Sequence, residues 1–213
     1  MPPVDFRLYL VSDRAQTGGR PLGDLLVEAS RAGLPAVQVR EQAMPTRELM
    51  ALTRAIREAL AGRPTRVLIN DRVDVALAVG VDGVHLRAAS LPTGRVRVMI
   101  GPDRLLGVST HSLEDVRRAQ DQGADFVVFG PVYDTASKRI YGMPQGLGRL
   151  AEVCGIARVP VFAIGGVTPG RVADVRRAGA HGVAAISSIL SAPDVPAAIR
   201  AFLRALHDDR MPA

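Results

Sequence analysis

The sequence predicts an α/β protein, a single-domain (β/α)8 barrel with eight parallel strands over residues 1–213. Two observations predict it. The first is a recurring phrase in which glycine follows an amphipathic stretch and precedes a short apolar run. It reads Ala32-Gly33-Leu34-Pro35-Ala36-Val37-Gln38-Val39, Val79-Gly80-Val81-Asp82-Gly83-Val84-His85-Leu86, Gln122-Gly123-Ala124-Asp125-Phe126-Val127-Val128-Phe129 and Ala178-Gly179-Ala180-His181-Gly182-Val183-Ala184-Ala185. Glycine just past a helix supplies the left-handed residue that ends it, and the β-branched or aromatic run suits a strand buried on both faces. The second is length: 213 residues accommodate eight strand–helix units of about 26 residues each, whereas a doubly wound open sheet normally stops at about five or six strands.

The elements follow in order. Strands are expected near Phe6–Val11, within 32–39, at Val67–Asn70, within 79–86, at Leu105–Ser109, within 122–129, at Val161–Ile164 and within 178–185. Helical patterns follow each one: Leu22–Ala32, Thr46–Ala61, Arg72–Val79, Pro92–Met99, Ser112–Gln122, Leu147–Ile156, Pro169–Ala178 and Asp194–Leu206. Several open on Ser, Thr or Asp caps or on a proline in the first turn. Strict alternation with short links requires a parallel sheet.

Composition narrows the partners. No apolar run approaches the ~18 residues of a membrane span, and the first residues lack a basic segment ahead of an apolar one, so a cytoplasmic, non-membrane protein is expected. The lone Cys154 has no partner for an internal disulfide or thiolate metal site, and reads as a small buried hydrophobe on a helix. A net charge of +6 suits phosphate binding, yet the arginines alternate with acids along the helices (Arg47, Glu48, Arg54, Arg57, Glu58), as on solvated faces, so nucleic acid is not expected. Lys138 is the sole lysine among 27 cationic residues, which marks it as a compact point charge or as a chance survivor. A homodimer is left open.

Chemistry in such a barrel sits where strands run into the following loops. The predicted strand ends are polar: Ser12-Asp13-Arg14, Gln38-Val39-Arg40-Glu41-Gln42, Asn70-Asp71-Arg72, His85, Ser109-Thr110-His111, a long link from Gly130 to Gly146 with Thr135-Ala136-Ser137-Lys138-Arg139, then Gly165-Gly166 and Ser187-Ser188. A glycine pair lets backbone N–H groups approach an anion, and adjacent hydroxyls donate to it; loops 7 and 8 form the usual phosphate cup of the fold. The plainer reading is a chain turn and a helix cap. Arg40, Lys138 and either Arg72 or Arg139 would add charge across the mouth, where Asn70 and Asp71 suit Mg²⁺ beside a second phosphate. Asp71 reads equally as a helix cap, and His85 as a substrate donor or a satisfied rim histidine. His111 favours a structural role, and His181 and His207 look structural or solvated. Tyr133 and Tyr141 either cover a ring or pack the lid.

With these residues assembled, the chain resembles the thiamin phosphate synthase and thiazole tautomerase family over essentially its whole length. The motifs are Tyr9-Leu10-Val11-Ser12-Asp13-Arg14, Val37-Gln38-Val39-Arg40-Glu41, Ile69-Asn70-Asp71, Asp82-Gly83-Val84-His85-Leu86, Gly107-Val108-Ser109-Thr110-His111-Ser112, Gly130-Pro131-Val132-Tyr133-Asp134-Thr135-Ala136-Ser137-Lys138 and Ala163-Ile164-Gly165-Gly166, one per barrel strand. The resemblance implies transfer of an aminopyrimidine methyl group from its diphosphate to the ring nitrogen of a thiazole phosphate. Arg40, Asn70, Ser109 and Lys138 match the diphosphate positions, with Arg40, Lys138 and Ser109 as the catalytic set. Gln38 matches the pyrimidine side, His85 a position near the pyrimidine and diphosphate, and Asp71 one Mg²⁺ ligand. Thr135, Ser137, Gly165, Gly166, Ser187 and Ser188 fall on the thiazole phosphate side.

The departures bear on the reaction. After His85-Leu86 the synthases carry Gly-Gln-x-Asp, whose aspartate is the second metal ligand; this chain reads Arg87-Ala88-Ala89-Ser90. The lysine expected after Arg40-Glu41 is Gln42, and the acid often following Asn-Asp is Arg72. Arg72, Ser90 and Ser112-Leu113-Glu114 look closer to the TenI-like tautomerases, which aromatise a thiazole carboxylate phosphate. The acid–base histidine of the best-known tautomerase type, however, falls at Pro131, which can shuttle no proton. The synthase reaction is the expectation, because Arg40, Asn70, Asp71, Ser109 and Lys138 are retained. A tautomerase is the alternative, and a non-catalytic thiazole phosphate-binding protein a second one. Arg72 or Arg87 is the candidate to replace part of the missing metal charge.

Overall fold

The computed structural model describes residues 3–134 and 143–208. Eight strands form a closed, all-parallel barrel in chain order: β1 (Leu8–Val11), β2 (Ala36–Val39), β3 (Arg66–Asn70), β4 (Gly83–Leu86), β5 (Leu105–Thr110), β6 (Phe126–Phe129), β7 (Val161–Ala163) and β8 (Gly182–Ala185). Closure comes from the ladder of β1 with β8, which pairs Leu8 with Val183 and Leu10 with Ala185. Around it lie α1 (Leu22–Arg31), α2 (Thr46–Ala59), α3 (Val73–Val79), α4 (Thr93–Ile100), α5 (Leu113–Asp121), α6 (Gly146–Ile156), α7 (Val172–Arg177), α8 (Ser187–Leu190) and α9 (Val195–His207). No helix among the described residues is long and apolar enough to cross a membrane.

The expected elements are present, with differences at their ends. Phe6 leaves the first strand and serves as a buried plug below it. The helix expected over Pro169–Ala178 begins as a 3-10 turn (Pro169–Arg171) before α7, because Pro169 and Gly170 suit a tight turn better than a helix interior. Pro21, Pro45 and Pro92 sit at N-caps rather than in the first turn, where their fixed φ sets the entry of the chain. Side-chain caps occur at Ser112, whose hydroxyl accepts from the Asp115 amide at 3.1 Å, and at Asp194, which accepts from Ala197 at 2.8 Å. The short α8 and the 3-10 turn Arg14–Gln16 are too brief to carry a sequence periodicity. Cys154 lies partly buried on α6, where burial pushes its thiol up to about 11, in keeping with an inert hydrophobe.

Side chains alternate along a strand, so each strand sends one set outward to the helices and one into the barrel. The outward set, including Leu10, Val37, Val39, Ile69 and Val127, joins the main core. Inside, Phe6, Tyr9, Phe126 and Phe162 fill the lower barrel as a cluster of tilted and edge-on rings with centroids 5.2 to 6.2 Å apart. The rings need space opposite them. A Cβ on Gly107 would collide with the Phe126 ring and with Nδ1 of His85. Gly107→Ala should therefore destabilise the fold by about 1–3 kcal/mol, the usual range for an overpacked core. Chemical denaturation checks this, with an unchanged denaturant slope expected.

Candidate active site

Because every strand runs the same way, all eight C-terminal ends open on one face, and the uppermost inward residues line its mouth. These are Gln38 on β2, Asn70 on β3, His85 on β4 and Ser109 on β5, all above the aromatic cluster. The register pairs Asn70 with His85 and His85 with Gly107.

Two hydrogen-bond chains fix the orientation of this layer. Gln38 Nε2 donates to Asn70 Oδ1 at 3.0 Å. That leaves the Gln38 oxygen as an acceptor and the Asn70 amino group as a donor. Beside them, His85 is almost wholly buried, with Tyr9 Oη 3.5 Å from its Nδ1 and Ser109 Oγ 2.9 Å from its Nε2. Burial pushes the Tyr9 phenol well above its ordinary value, so it keeps its proton, and a buried hydroxyl hydrogen needs an acceptor. Nδ1 is that acceptor, so Nε2 carries the imidazole hydrogen and donates to Ser109. The hydroxyl hydrogen of Ser109 is then free for a ligand. Burial, opposed by Asp71 and aided by Arg40, holds the His85 pKa down to about 3, so the ring is neutral.

The rim carries the charges. Arg40, just past β2, has its amide donated to Ser12 Oγ at 2.8 Å, and the Ser12 hydroxyl donates to Glu41 at 2.8 Å. Arg14 Nε closes the set on Glu41 at 3.1 Å. Among the described residues no carboxylate pairs with the Arg40 guanidinium. Asp71 has a left-handed backbone, φ 59°, which Asp tolerates better than most residues. Its carboxylate accepts from the Arg87 amide at 3.1 Å, from Arg87 Nε and from the Ser90 hydroxyl. Arg72 turns away, its guanidinium held by Asp74 and by Thr46 Oγ1. Opposite, Gly165 and Gly166 follow β7 with φ of 97° and 65°, and a Cβ on Gly165 would lie 2.6 Å from Pro131 Cα. Ser187 and Ser188 open α8 just past β8. Arg171 stacks over the Tyr133 ring at 4.4 Å and donates to Gly166 O at 2.7 Å, bracing the glycine pair. Thr135, Ser137 and Lys138 lie outside the described residues.

The thiamine monophosphate synthase family matches residues 8–189. A Geobacter sulfurreducens chain is 46% identical over 206 residues that cover 97% of each protein. The thiamine-phosphate synthase of Moorella thermoacetica is 40% identical over 94% of both chains. This chain belongs to the thiamine monophosphate synthase family. The solved thiamine phosphate pyrophosphorylase of Pyrococcus furiosus superposes with a TM-score of 0.87 at 31% identity, over 96% of this chain and 97% of that one. A 3-hexulose-6-phosphate synthase at 19% identity, TM-score 0.71, shares the barrel.

Family membership implies Mg²⁺, and the residues do not fit it well. Both Asp71 oxygens are engaged, one of them by a cation. Position 90 offers a hydroxyl whose hydrogen is spent on Asp71. Among the described residues no three His, Cys, Asp or Glu side chains are grouped to hold a metal. His111 and His181 are anchored structurally, on Gly130 O at 2.7 Å and Phe6 O at 3.0 Å. Sequence reasoning gave no site role to Tyr9, Ser12 and Glu41, which position the layer from within the motifs that carried the resemblance.

The buried imidazole has a measurable consequence. The unfolded chain protonates its histidines near pH 6.5, while folded His85 resists until about pH 3, so the unfolded state binds the extra proton across that window. Stability should therefore fall as pH drops below 6.5, and His181, also lowered by burial, acts in the same direction. His85→Asn should flatten the dependence of unfolding free energy on pH by about 1.4 kcal/mol per unit, read from denaturation series between pH 6.5 and 4. An independent check is ¹⁵N NMR of the imidazole at pH 7, which should show hydrogen on Nε2 and, in Tyr9→Phe, a mixture of tautomers.

Proposed function

We propose that this chain is a thiamin phosphate synthase, joining an aminopyrimidine methyl diphosphate to a thiazole phosphate with release of diphosphate. What carries the reading is the polar layer itself: an amide acceptor (Gln38), an amide donor (Asn70), a hydroxyl hydrogen freed by His85 (Ser109) and a cation without a carboxylate partner among the described residues (Arg40), all at one mouth facing a glycine pair.

The chemistry follows from those donors. The bond between the pyrimidine methylene and the diphosphate oxygen breaks, its electron pair leaving on the diphosphate. The thiazole ring nitrogen supplies the pair for the new C–N bond. Negative charge grows on the leaving oxygen, so catalysis rests on groups already aimed at it. Arg40, the Asn70 amino group and the Ser109 hydroxyl supply these, with Lys138 as the fourth from its motif position. The Gln38 oxygen accepts from the pyrimidine amino group. Gly165, Gly166, Ser187 and Ser188, with Thr135 and Ser137 from the long link, hold the thiazole phosphate and so orient the nucleophile. Neutral His85 cannot act as a cation here; it holds Ser109. The tautomerase alternative is less favoured, because the acid–base histidine of the best-known tautomerase type falls at Pro131, which can shuttle no proton.

A coupled assay for diphosphate release tests the proposal. Incubation with both substrates should yield thiamin phosphate and diphosphate in equal amounts. Thiazole phosphate binding without turnover would instead indicate a sensor, and conversion of a thiazole carboxylate phosphate alone a tautomerase. Lys138→Ala should abolish turnover while leaving thiazole phosphate affinity, measured by calorimetry, nearly unchanged. Arg40→Ala should lower kcat by about 10²- to 10³-fold, as loss of one preorganised electrostatic partner does elsewhere.

A further inference from the structure

We propose that Arg87 is the resident cation of the diphosphate subsite, replacing the charge of a divalent metal there, so that this chain binds the diphosphate group without Mg²⁺. The inference rests on the synthase reading and assigns a role that the family pattern does not, since Arg87 stands in the segment where that pattern departs.

Three observations carry it. First, the place is already filled by positive charge. Asp71 accepts from both the amide and Nε of Arg87, and the Ser90 hydroxyl closes the same carboxylate. The turn holding them is itself tied, with Ser90 N donating to Arg87 O at 3.1 Å and Arg87 N reaching Ser90 Oγ at 2.9 Å. A small, hard ion demanding several oxygen ligands would have to break this set, and Ser90 offers it no carboxylate in return. Second, the guanidinium is anchored yet not used up. It has five N–H donors, Asp71 takes the one on Nε, and the side chain is 53% exposed. The terminal N–H groups form the planar fork that grips phosphate oxygens in pairs. Asp71 thus becomes a positioning residue: it aims Arg87 instead of ligating a metal. Third, the other candidate cation is held elsewhere. Arg72 spends Nε and Nη2 on Asp74 and Nη1 on Thr46, and hydrogen bonding to Asp74 raises its already high pKa.

The geometry gives Arg87 and Arg40 complementary positions. They flank Asn70 from the ends of β4 and β2, the strands on either side of β3. A diphosphate lying over Asn70 meets a cation at each end.

Calorimetric titration of the full chain with inorganic diphosphate decides the matter, run once in excess chelator and once in excess Mg²⁺. The affinities should agree within about threefold. Arg87→Gln should weaken the chelator titration by about ten- to a hundredfold, as loss of a charged hydrogen-bonding partner does, and Arg87→Lys should recover part of it. In Arg87→Gly with Ser90→Asp, which removes the cation and supplies a second carboxylate, diphosphate binding should become dependent on Mg²⁺. Binding by the wild-type chain only when Mg²⁺ is present would overturn the proposal, as would an Arg87→Gln titration indistinguishable from wild type. The wild-type comparison needs no variant, so a variant that fails to fold leaves the test intact. The two readings fail separately: thiamin phosphate formed only with Mg²⁺ sinks the role of Arg87 and keeps the synthase, whereas metal-free diphosphate binding with no thiamin phosphate under any condition does the reverse.

Discussion

The site depends on the aromatic plug beneath it. A barrel of eight strands has just enough interior for side chains, and whichever residues fill its lower layers decide what remains for the top. Here four rings, from Phe6, Tyr9, Phe126 and Phe162, occupy the lower interior, each pair adding about 0.5–1.5 kcal/mol beyond the area it buries. His85 rests on this plug, its ring 5.8 Å from Phe126 and 5.7 Å from Tyr9. The packing keeps the imidazole dry, dryness keeps it neutral, and neutrality leaves it one donor and one acceptor. The direction of the Ser109 hydroxyl is thus set by hydrophobic packing in the layer below.

The acids at the mouth serve the same end. Glu41 and Asp71 stand beside cationic groups, and neither faces the mouth unpaired. Glu41 fixes loop 1 against loop 2 through Ser12 and Arg14, and Asp71 fixes loop 4 against loop 3 through Arg87 and Ser90. Each pairs with its own anchor, and among the described residues Arg40 has no carboxylate partner while Arg87 keeps its terminal N–H groups beyond the one Asp71 takes. A partly exposed ion pair contributes little to stability, so the value of these pairs lies in geometry.

How much of this was legible in the sequence varies with the range of the interaction. The strands and most helix limits could be read because glycine punctuation and apolar runs are local signals, and the polar strand ends stood out for the same reason. Gln38, Asn70, His85 and Ser109 stood out in the sequence as polar residues at or next to strand ends, and the structure gathers them in one layer. The pairing of Asp71 with Arg87 was not. It joins residues sixteen apart in sequence and depends on the β3–β4 register, which sets Asn70 beside His85 and lets the Asp71 amide bond to His85 O. Sequence offered Arg72 and Arg87 as equals, and only the local turn, which folds Arg72 back on Asp74, separates them. The link holding Thr135, Ser137 and Lys138 lies outside the described residues, and their roles rest on motif alone.

A resident guanidinium differs from a metal in a way that matters for leaving-group chemistry. Mg²⁺ arrives with the substrate, concentrates two charges on one point and retains tightly held water. Arg87 brings one charge, spread over a plane and oriented in advance by Asp71, so less reorganisation remains when charge develops on the diphosphate. In the same loops the acid often following Asn-Asp is Arg72, which Asp74 holds, and the expected second ligand is neutral Ser90. Each substitution removes negative charge from the rim. Exchanging a metal and its ligands for an arginine and its counterion lowers the density of charge on both sides at once, and the balance between them is kept.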